Sequence, residues 1–366
     1  MGEKRPSIKD VAAAAGVSIA TVSNVFNRTK PVNQALVDQV TRAATTLRYM
    51  ADRAASNLRS GRTRTIAVMV PDLTDTFFAS IVSSLEMMAY KDGYDVVVAS
   101  SQNDAMVERS RVRTLLSWKP AGIIAIPCSN ILAPELVEAS RTLPMVLVDR
   151  VATTGAIADT VTIDNRDAGR LAAKHLLELG HRNIVLAVSQ LELAPISERA
   201  AGASDLIAQA TGQRPAAVEL GPHIAEGTRI FSGWLQRNPI PTAVIALTNV
   251  TTLGVLSAFA DNKIDIPGKT SIVAFDDYAW MSARNTGLTA IRQPLAEMAE
   301  VAWARLLFRM GDDTREDIKP TILGASLVVR ASVRDIAVKV PGMSKPPIDM
   351  ERVEPVERVA GDKHVH

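Results

Sequence analysis

Apolar positions in this chain follow helical spacing at the start and strand–helix alternation later. Over residues 6–28, PSIKDVAAAAGVSIATVSNVFNR, they form two short helical patterns joined at Gly16, which supplies the sharp turn. Ser7 stands at an N-cap position and Asp10, three residues on, can reach back to it. Ile8, Val11 and Ala12 line one face of the first segment. Ser18 opens the second, whose Val22 and Val25 point inward while Ile19, Ala20, Thr21 and Asn24 face out. Small and polar residues on an exposed helix face suit a helix pressed into a DNA major groove. A third pattern, from about Ala35 to Leu47, is capped by Asn33 after Pro31 and carries Leu36, Val40, Ala43, Ala44 and Leu47 on one face. The spacing therefore predicts a helix-turn-helix unit closed around Val11, Val22, Val25 and Leu47.

Residues 52–61 predict one further short helix, with Asp52 as cap and Gly61 as stop. Roughly eight residues are too few for a stable isolated helix, so this one is expected to fold only when something packs against it. From Thr65 the pattern changes. Apolar runs at 66–70, 95–99, 122–126, 145–148, 184–188, 243–246 and 271–275 predict strands. Amphipathic stretches at 78–91, 107–118, 168–179, 198–209 and 253–261 predict helices between them. Such alternation implies α/β architecture with doubly wound parallel sheets covered on both faces, and two similar lobes rather than one sheet. Ligands of these sheets bind at the carboxyl ends of the strands. From about Val340 periodicity is lost among prolines and charges, which reads as a flexible tail.

Charge sharpens this division. The net charge of +2 conceals a head, residues 1–64, with 11 Lys/Arg against 4 Asp/Glu, and a remainder with 30 against 35. A basic head on a mildly acidic body fits a protein that meets phosphate at one end. The single cysteine, Cys128, excludes a disulfide framework and a zinc-thiolate set, and reads as a buried structural thiol. His175, His181, His223, His364 and His366 make no metal-ligand pair; His181 stands at a helix end where it would meet terminal carbonyls. No glycine-rich phosphate loop and no nucleophile–base pair stands out, so neither an enzyme nor a cofactor is expected. MGEKRPS lacks the apolar stretch of an export signal and no 18-residue apolar run occurs, so a cytoplasmic protein without membrane partners is expected.

The motifs SIKDVAAAAGVSIATVSNVFN, NLRSGRTRTIAVMVPDLTDTFF, HLLELGHRNI, SIVAFDD and LTAIRQP occur in an order that resembles the lactose-repressor (LacI) family of bacterial transcription regulators, from Pro6 to Arg334. The resemblance implies a homodimer or tetramer whose heads bind double-stranded operator DNA. It also implies a small sugar-type effector held between two periplasmic-binding-protein-like lobes. The expected division is a DNA-binding head over 1–49, a linker over 50–64, a core over 65–339 and a tail over 340–366. Within the core, one lobe takes about 65–163 and 292–322, the other about 164–291 and 323–339. The tail shows no leucine heptads that would tie dimers together, which favours a dimer.

Position by position, the resemblance assigns base reading to Ile19, Ala20 and Asn24, where an asparagine can pair bidentately with adenine. It assigns phosphate contacts to Ser18, Thr21, Asn27 and Asn33. Leu58, with Ala55 beside it, matches a leucine that wedges into the minor groove and bends the duplex; the alternative is an ordinary core residue of a packed linker. In the core, Arg199 of SERAAG matches the arginine that grips ligand oxygens. Asp276 ends a strand and can accept two hydroxyl hydrogen bonds, while Asp277 is expected to cap the next helix. Phe77 is expected to stack on a sugar ring and Phe78 to cap the lobe's core. Trp280 is either a second stacking surface or a core residue, Gln293 is placed to reach the ligand from the crossover, and Arg150 either contacts ligand or forms a salt bridge. Leu247-Thr248-Asn249 stands where relatives usually read Ala-Asn-Asp, so the pocket loses a carboxylate beside Thr248. With Arg199 this tilts the expected effector toward an acidic sugar. The competing reading is a sugar-binding transport or sensing module, which the basic head opposes. Effector binding would turn one lobe, separate the linkers and change operator affinity in either direction.

Overall fold

The computed structural model describes residues 6–27, 31–49, 63–151, 157–311 and 317–337. The expected linker helix, with Ala55 and Leu58, and the expected tail lie outside the described residues. The head contains α1 (Ile8–Ala14), α2 (Ile19–Asn27) and α3 (Gln34–Thr46). The Ser7 amide and hydroxyl both donate to Asp10 Oδ2, at 2.8 and 2.7 Å, closing the start of α1. Gly16 adopts φ +59° after α1, a conformation that costs a side-chain-bearing residue strain. Asn33 Oδ1 accepts from the Ala35 amide at 2.9 Å and starts α3. Val11, Val22 and Val40 are wholly buried, and Val25 and Leu47 pack against them. Gln39 Nε2 donates to the Ala15 carbonyl at 2.8 Å, fastening α3 to the turn.

The core begins with β1 (Thr65–Val70), α4 (Thr76–Lys91), β2 (Asp95–Ser100), α5 (Ala105–Ser117), β3 (Gly122–Ala125), α6 (Pro134–Ala139), β4 (Met145–Val148) and β5 (Asp159–Ile163). It continues through α7 (Asn165–Glu178), β6 (Ile184–Val188), α8 (Ala194–Thr211), β7 (Ala216–Glu219), α9 (Ile224–Arg237), β8 (Ala243–Ala246), α10 (Asn249–Asp261) and β9 (Ser271–Phe275). Then come α11 (Ala279–Ser282), β10 (Thr289–Arg292), α12 (Leu295–Met310), β11 (Pro320–Leu323) and β12 (Ser326–Val328). Two six-stranded sheets result, ordered β11-β5-β4-β3-β1-β2 and β12-β10-β9-β8-β6-β7. Every pairing is parallel except β10 with β12.

All seven strands expected from apolar runs are present. Six of them are interior strands with wholly or almost wholly buried residues, where an unbroken apolar run is the signature; the seventh, β2, lies at a sheet edge but keeps the valine run 96–98. The strands that the pattern missed, β5, β7, β10, β11 and β12, are short and mix polar with apolar residues, and β7, β11 and β12 lie at sheet edges. One polar residue among them is structural. The Asp159 carboxylate, fully buried at the start of β5, takes ion pairs from Arg305 at 2.9 Å and Arg309 at 2.7 Å, and the Lys319 amide donates to it at 2.8 Å. It thus ties α12 and the approach to β11 onto β5. Burial pushes its pKa up, but the hydrogen bonds from Arg309 and Arg305 overcome this and hold it below the ordinary aspartate value.

His181 departs from expectation. Its ring is wholly buried and Nε2 lies 3.0 Å from the Arg334 carbonyl, so it fastens the final segment rather than the end of α7. Its backbone amide meets that helix, donating to Leu176 O at 3.0 Å. Burial holds His181 and His175 below the usual histidine pKa, so folding favours their neutral forms. Among the described residues, no helix is long and apolar enough to cross a membrane, and no group of histidine, cysteine and acidic residues is arranged to hold a metal ion.

Two outcomes follow for stability. Asp159→Ala strands two guanidinium groups and should cost about 3 kcal/mol in urea unfolding. Because the native histidines bind protons less readily than the unfolded ones, stability should fall as pH drops below about 6.5. His181→Gln should make that decline shallower in a melting-temperature series, and an unchanged slope would remove His181 from the account.

Candidate functional site

Residues that immediately follow strands of both sheets line one cleft of about 520 Å³, a size suited to a small ligand. Asp72, Thr74, Asp75, Thr76 and Phe78 follow β1, Asn103 follows β2 and Arg150 follows β4. From the other lobe come Ser189 and Gln190 after β6, His223 after β7, Thr248 and Asn249 after β8, and Trp280 after β9. This is the crevice that parallel sheets leave at their carboxyl ends.

Close to this lining lies a buried charged layer with a repeated design. Asp149 directly follows β4 and Asp276 directly follows β9; both take positive φ, 60° and 64°. Each donates its amide to the neighbouring strand at 2.9 Å, Asp149 to Val161 O and Asp276 to Ile291 O. Each residue is only 6% exposed. Arg199, 4% exposed, is the buried cation that interacts with both carboxylates. Its Nε donates to Asn165 Oδ1 at 2.8 Å, its Nη1 donates to Leu247 O at 3.0 Å, and its guanidinium lies 4.7 Å from the Phe275 ring centroid. Helix packing places it there. At the crossing of α7 and α8, a Cβ on Gly169 would stand 2.0 Å from Arg199 O, and one on Gly202 would stand 1.9 Å from Arg166 O. Two glycines thus let the helix backbones touch and set the depth of Arg199.

The electrostatics follow from burial. Burial raises the Asp276 pKa to about 6, because attraction to Arg199 and the hydrogen bond from Gln293 only partly offset lost hydration. Gln293 Nε2 donates to Asp276 Oδ1 at 2.6 Å. Asp149 is raised for the same reason, against opposing attraction from Arg199 and Arg150. Asp75 is raised as well, by burial and by neighbouring carboxylates, although the Phe77 amide donates to it at 3.0 Å. Burial first, and Asp276 second, push the Tyr278 hydroxyl far above its ordinary value. Four buried atoms in and around the cleft have no protein partner: Asp149 Oδ1, Asn249 Oδ1, Tyr278 Oη and Gln293 Oε1. Unsatisfied buried groups are costly in a folded chain, and a cleft is where a ligand can satisfy them.

The expected site residues separate into two groups. Arg150, Thr248 and Trp280 line the cleft, whereas Arg199, Asp276 and Gln293 form the charged layer. Arg150 lies 5.2 Å over the Phe78 ring, and its Nη1 donates to Asn103 Oδ1 at 2.9 Å and Cys128 O at 3.3 Å. Thr248 caps α10, its hydroxyl accepting from the Thr251 amide at 3.2 Å. Both phenylalanines are buried in the lobe's core, Phe78 there as expected; it is Phe78 rather than Phe77 that also reaches the cleft, because Asp75 caps α4 and its first turn carries Phe77 inward. Asp277 does not cap α11, which starts after Tyr278; it pairs with Arg292 at 2.5 Å and Arg330 at 2.7 Å. The carboxylate missing at Asn249 concerns one position of a cleft and charged layer that hold others. Asp72, Asp75, Asp149 and Asp276 outnumber Arg150 and Arg199. Cys128 is buried and pushed up to about 12 by burial and by Glu108, so it is a poor nucleophile. The strand-end rule pointed toward Ser189, Gln190 and His223, but no residue-type pattern singled them out.

In the head, Ile19 and Ala20 are exposed on α2, and Thr21 and Asn24 are half-buried there. Ser18 Oγ accepts from the Thr21 amide at 3.0 Å and lies 2.9 Å from Thr21 Oγ1, so these two side chains close the start of α2. Asn27 ends that helix, and Asn33 caps α3.

Residues 7–52 match the profile "Bacterial regulatory proteins, lacI family", and residues 173–333 match "Periplasmic binding protein-like domain". The HTH-type transcriptional repressor PurR of Vibrio atlanticus (strain LGP32) is 28% identical over 330 residues, covering 88% of this chain and 98% of that protein. The HTH-type transcriptional regulator GalR of Escherichia coli (strain K12) is 29% identical over 330 residues, covering 89% and 95%. Among solved structures, the lac repressor dimer bound to operator and the anti-inducer ONPF superposes with a TM-score of 0.77 at 24% identity, covering 90% of this chain and all of that one. The transcriptional regulator CelR–cellobiose complex gives 0.65 at 24% identity, with the same coverage. The fold is shared with both structures. With the two profiles in series and relatives matched along nearly their whole length, this chain belongs to the lacI family of bacterial regulatory proteins, and is a transcriptional regulator with a helix-turn-helix head and a two-lobed ligand-binding core.

Proposed function

We propose that this chain is a cytoplasmic, homodimeric repressor, without catalytic activity or cofactor, whose operator affinity is set by a sugar-type molecule in the interlobe cleft. The observation that carries this reading is the pairing, on one chain, of a basic helix-turn-helix head with a cleft that has a buried, incompletely hydrogen-bonded charged layer beside it. The lac repressor and CelR structures hold ONPF and cellobiose, which supports a saccharide-sized ligand here. In this reading the α2 face of Ile19, Ala20 and Asn24 meets bases, while Ser18, Thr21, Asn27 and Asn33 meet phosphate. Ala55 and Leu58 belong to the operator-bound linker. Arg150, Thr248 and Trp280 touch the ligand, and Arg199, Asp276 and Gln293 answer its hydroxyls. Phe77 holds the loop that carries Asp75 rather than stacking on the sugar. A dimer presents two heads to a roughly palindromic site. A ligand that prefers one lobe arrangement need supply only about 1–3 kcal/mol of coupling for 5- to 150-fold regulation.

The head is tested by fluorescence anisotropy on genomic fragments. Affinity should fall steeply with added salt, because phosphate contacts release counterions. Asn24→Ala should cost about 1–3 kcal/mol and relax base preference at one operator position. A salt-independent affinity would overturn the assignment of the basic head.

The core is tested through Asp276. In Asp276→Asn, operator binding should persist and the effector response should vanish. Because the folded carboxyl titrates near 6 and the unfolded one near 3.8, its contribution to stability is complete below 3.8 and is lost as pH rises through 6. Unliganded Asp276→Asn should therefore gain on the native protein between pH 4 and pH 7, by on the order of 2 kcal/mol. Equal melting curves across that range would show that burial does not strain this carboxyl.

A further inference from the structure

Taking the cleft as the ligand site, we propose that its ligand carries a protonated amine on a polyhydroxylated, sugar-sized frame, with the ammonium group seated on Asp149 beside Asp75. Charge is the first support. Four carboxylates converge on the cleft and the layer next to it, against two guanidinium groups. Like charges that share a desolvated site repel, and a cation is the simplest partner that relieves them.

The state of the two arginines is the second. A ligand carboxylate binds best to a free guanidinium fork. Arg199 already spends Nε on Asn165 and Nη1 on the Leu247 carbonyl. Arg150 spends Nη1 on Asn103 and the Cys128 carbonyl while lying over Phe78. Arg199 is thus left without a free side-on fork; Arg150 keeps its Nε/Nη2 edge, but the carboxylates of Asp149 and Asp75 already act on that guanidinium.

The third support is the sense of the unused hydrogen-bonding capacity. Asp149 Oδ1 is buried and has no protein donor. Gln293 Oε1 is buried and unpartnered too, and its orientation is not arbitrary, because its Nε2 must face the Asp276 carboxylate to which it donates. Both atoms are acceptors. Asn249 Oδ1 is a third unpartnered acceptor and Tyr278 Oη can donate or accept, so three of the four open atoms call for donors, which an ammonium and neighbouring hydroxyls supply.

The test is calorimetry with the full chain, titrating D-glucosamine, D-galactosamine and D-mannosamine against their parent sugars, their N-acetyl forms and D-glucuronate. At least one amine should bind about tenfold more tightly than its parent and its N-acetyl form, as a charge-assisted hydrogen bond requires. Asp149→Asn should bring that amine to within about twofold of its parent, with a cooperative melting transition as the check that the variant is folded. Should that variant fail to fold, the comparison of amine with N-acetyl form on the native chain decides alone. A parent sugar or glucuronate that binds as tightly as its amine would overturn the cationic ligand while leaving the saccharide reading intact. Absence of binding by every one of these compounds would overturn the amino-sugar ligand.

Discussion

A cation held out of water beside an interlobe cleft is the constraint around which the core is organised. Arg199 is almost inaccessible to solvent, and such a charge survives only with fixed partners. Asn165 and the Leu247 carbonyl fix its plane, Phe275 supports its face, and Asp149 and Asp276 neutralise it from the ends of two different sheets. The two carboxylates belong to different lobes, so one guanidinium senses both. Any ligand that alters this balance alters an interaction spanning the lobe boundary.

That arrangement is set by backbone geometry far more than by local side-chain choice. Gly169 and Gly202 bring α7 and α8 into direct backbone contact and so fix where Arg199 emerges. The left-handed conformations of Asp149 and Asp276 turn each chain sharply at a strand's end and direct a carboxylate into the interior. Non-glycine residues in that conformation carry a cost that surrounding structure must absorb, and such positions gather at functional sites. The residues that follow them diverge. Arg150 faces the cleft, whereas Asp277 is drawn away by Arg292 and Arg330. The lobes therefore share a frame but offer different chemistry to a ligand.

The sequence made the head and the central strands readable because their signals are local. The Ser7–Asp10 cap, the turn at Gly16 and the fully apolar runs of β1, β4 and β9 depend on neighbours a few residues away. Edge strands such as β7 and β11 gave little signal, since one side of each stays accessible and polar residues are tolerated. The charged layer was partly readable: Arg199, Asp276 and Gln293 stood out through motif resemblance. Whether Phe77 or Phe78 reached the cleft depended on the phase of α4, which the Asp75 cap sets. The roles of Asp277 and His181 depended on partners 15 to 153 residues distant, beyond any periodicity.

The route of the chain through the core has a mechanical consequence. Backbone passes from one sheet to the other after Ile163, again after Arg292, and a third time after Leu323. Three tethers in parallel resist stretching and lateral sliding, but they leave bending about a line through them comparatively soft. Two of the tethers carry Asn165 and Gln293, which hold Arg199 and Asp276, so bending about that line bears directly on the buried charges between the sheets.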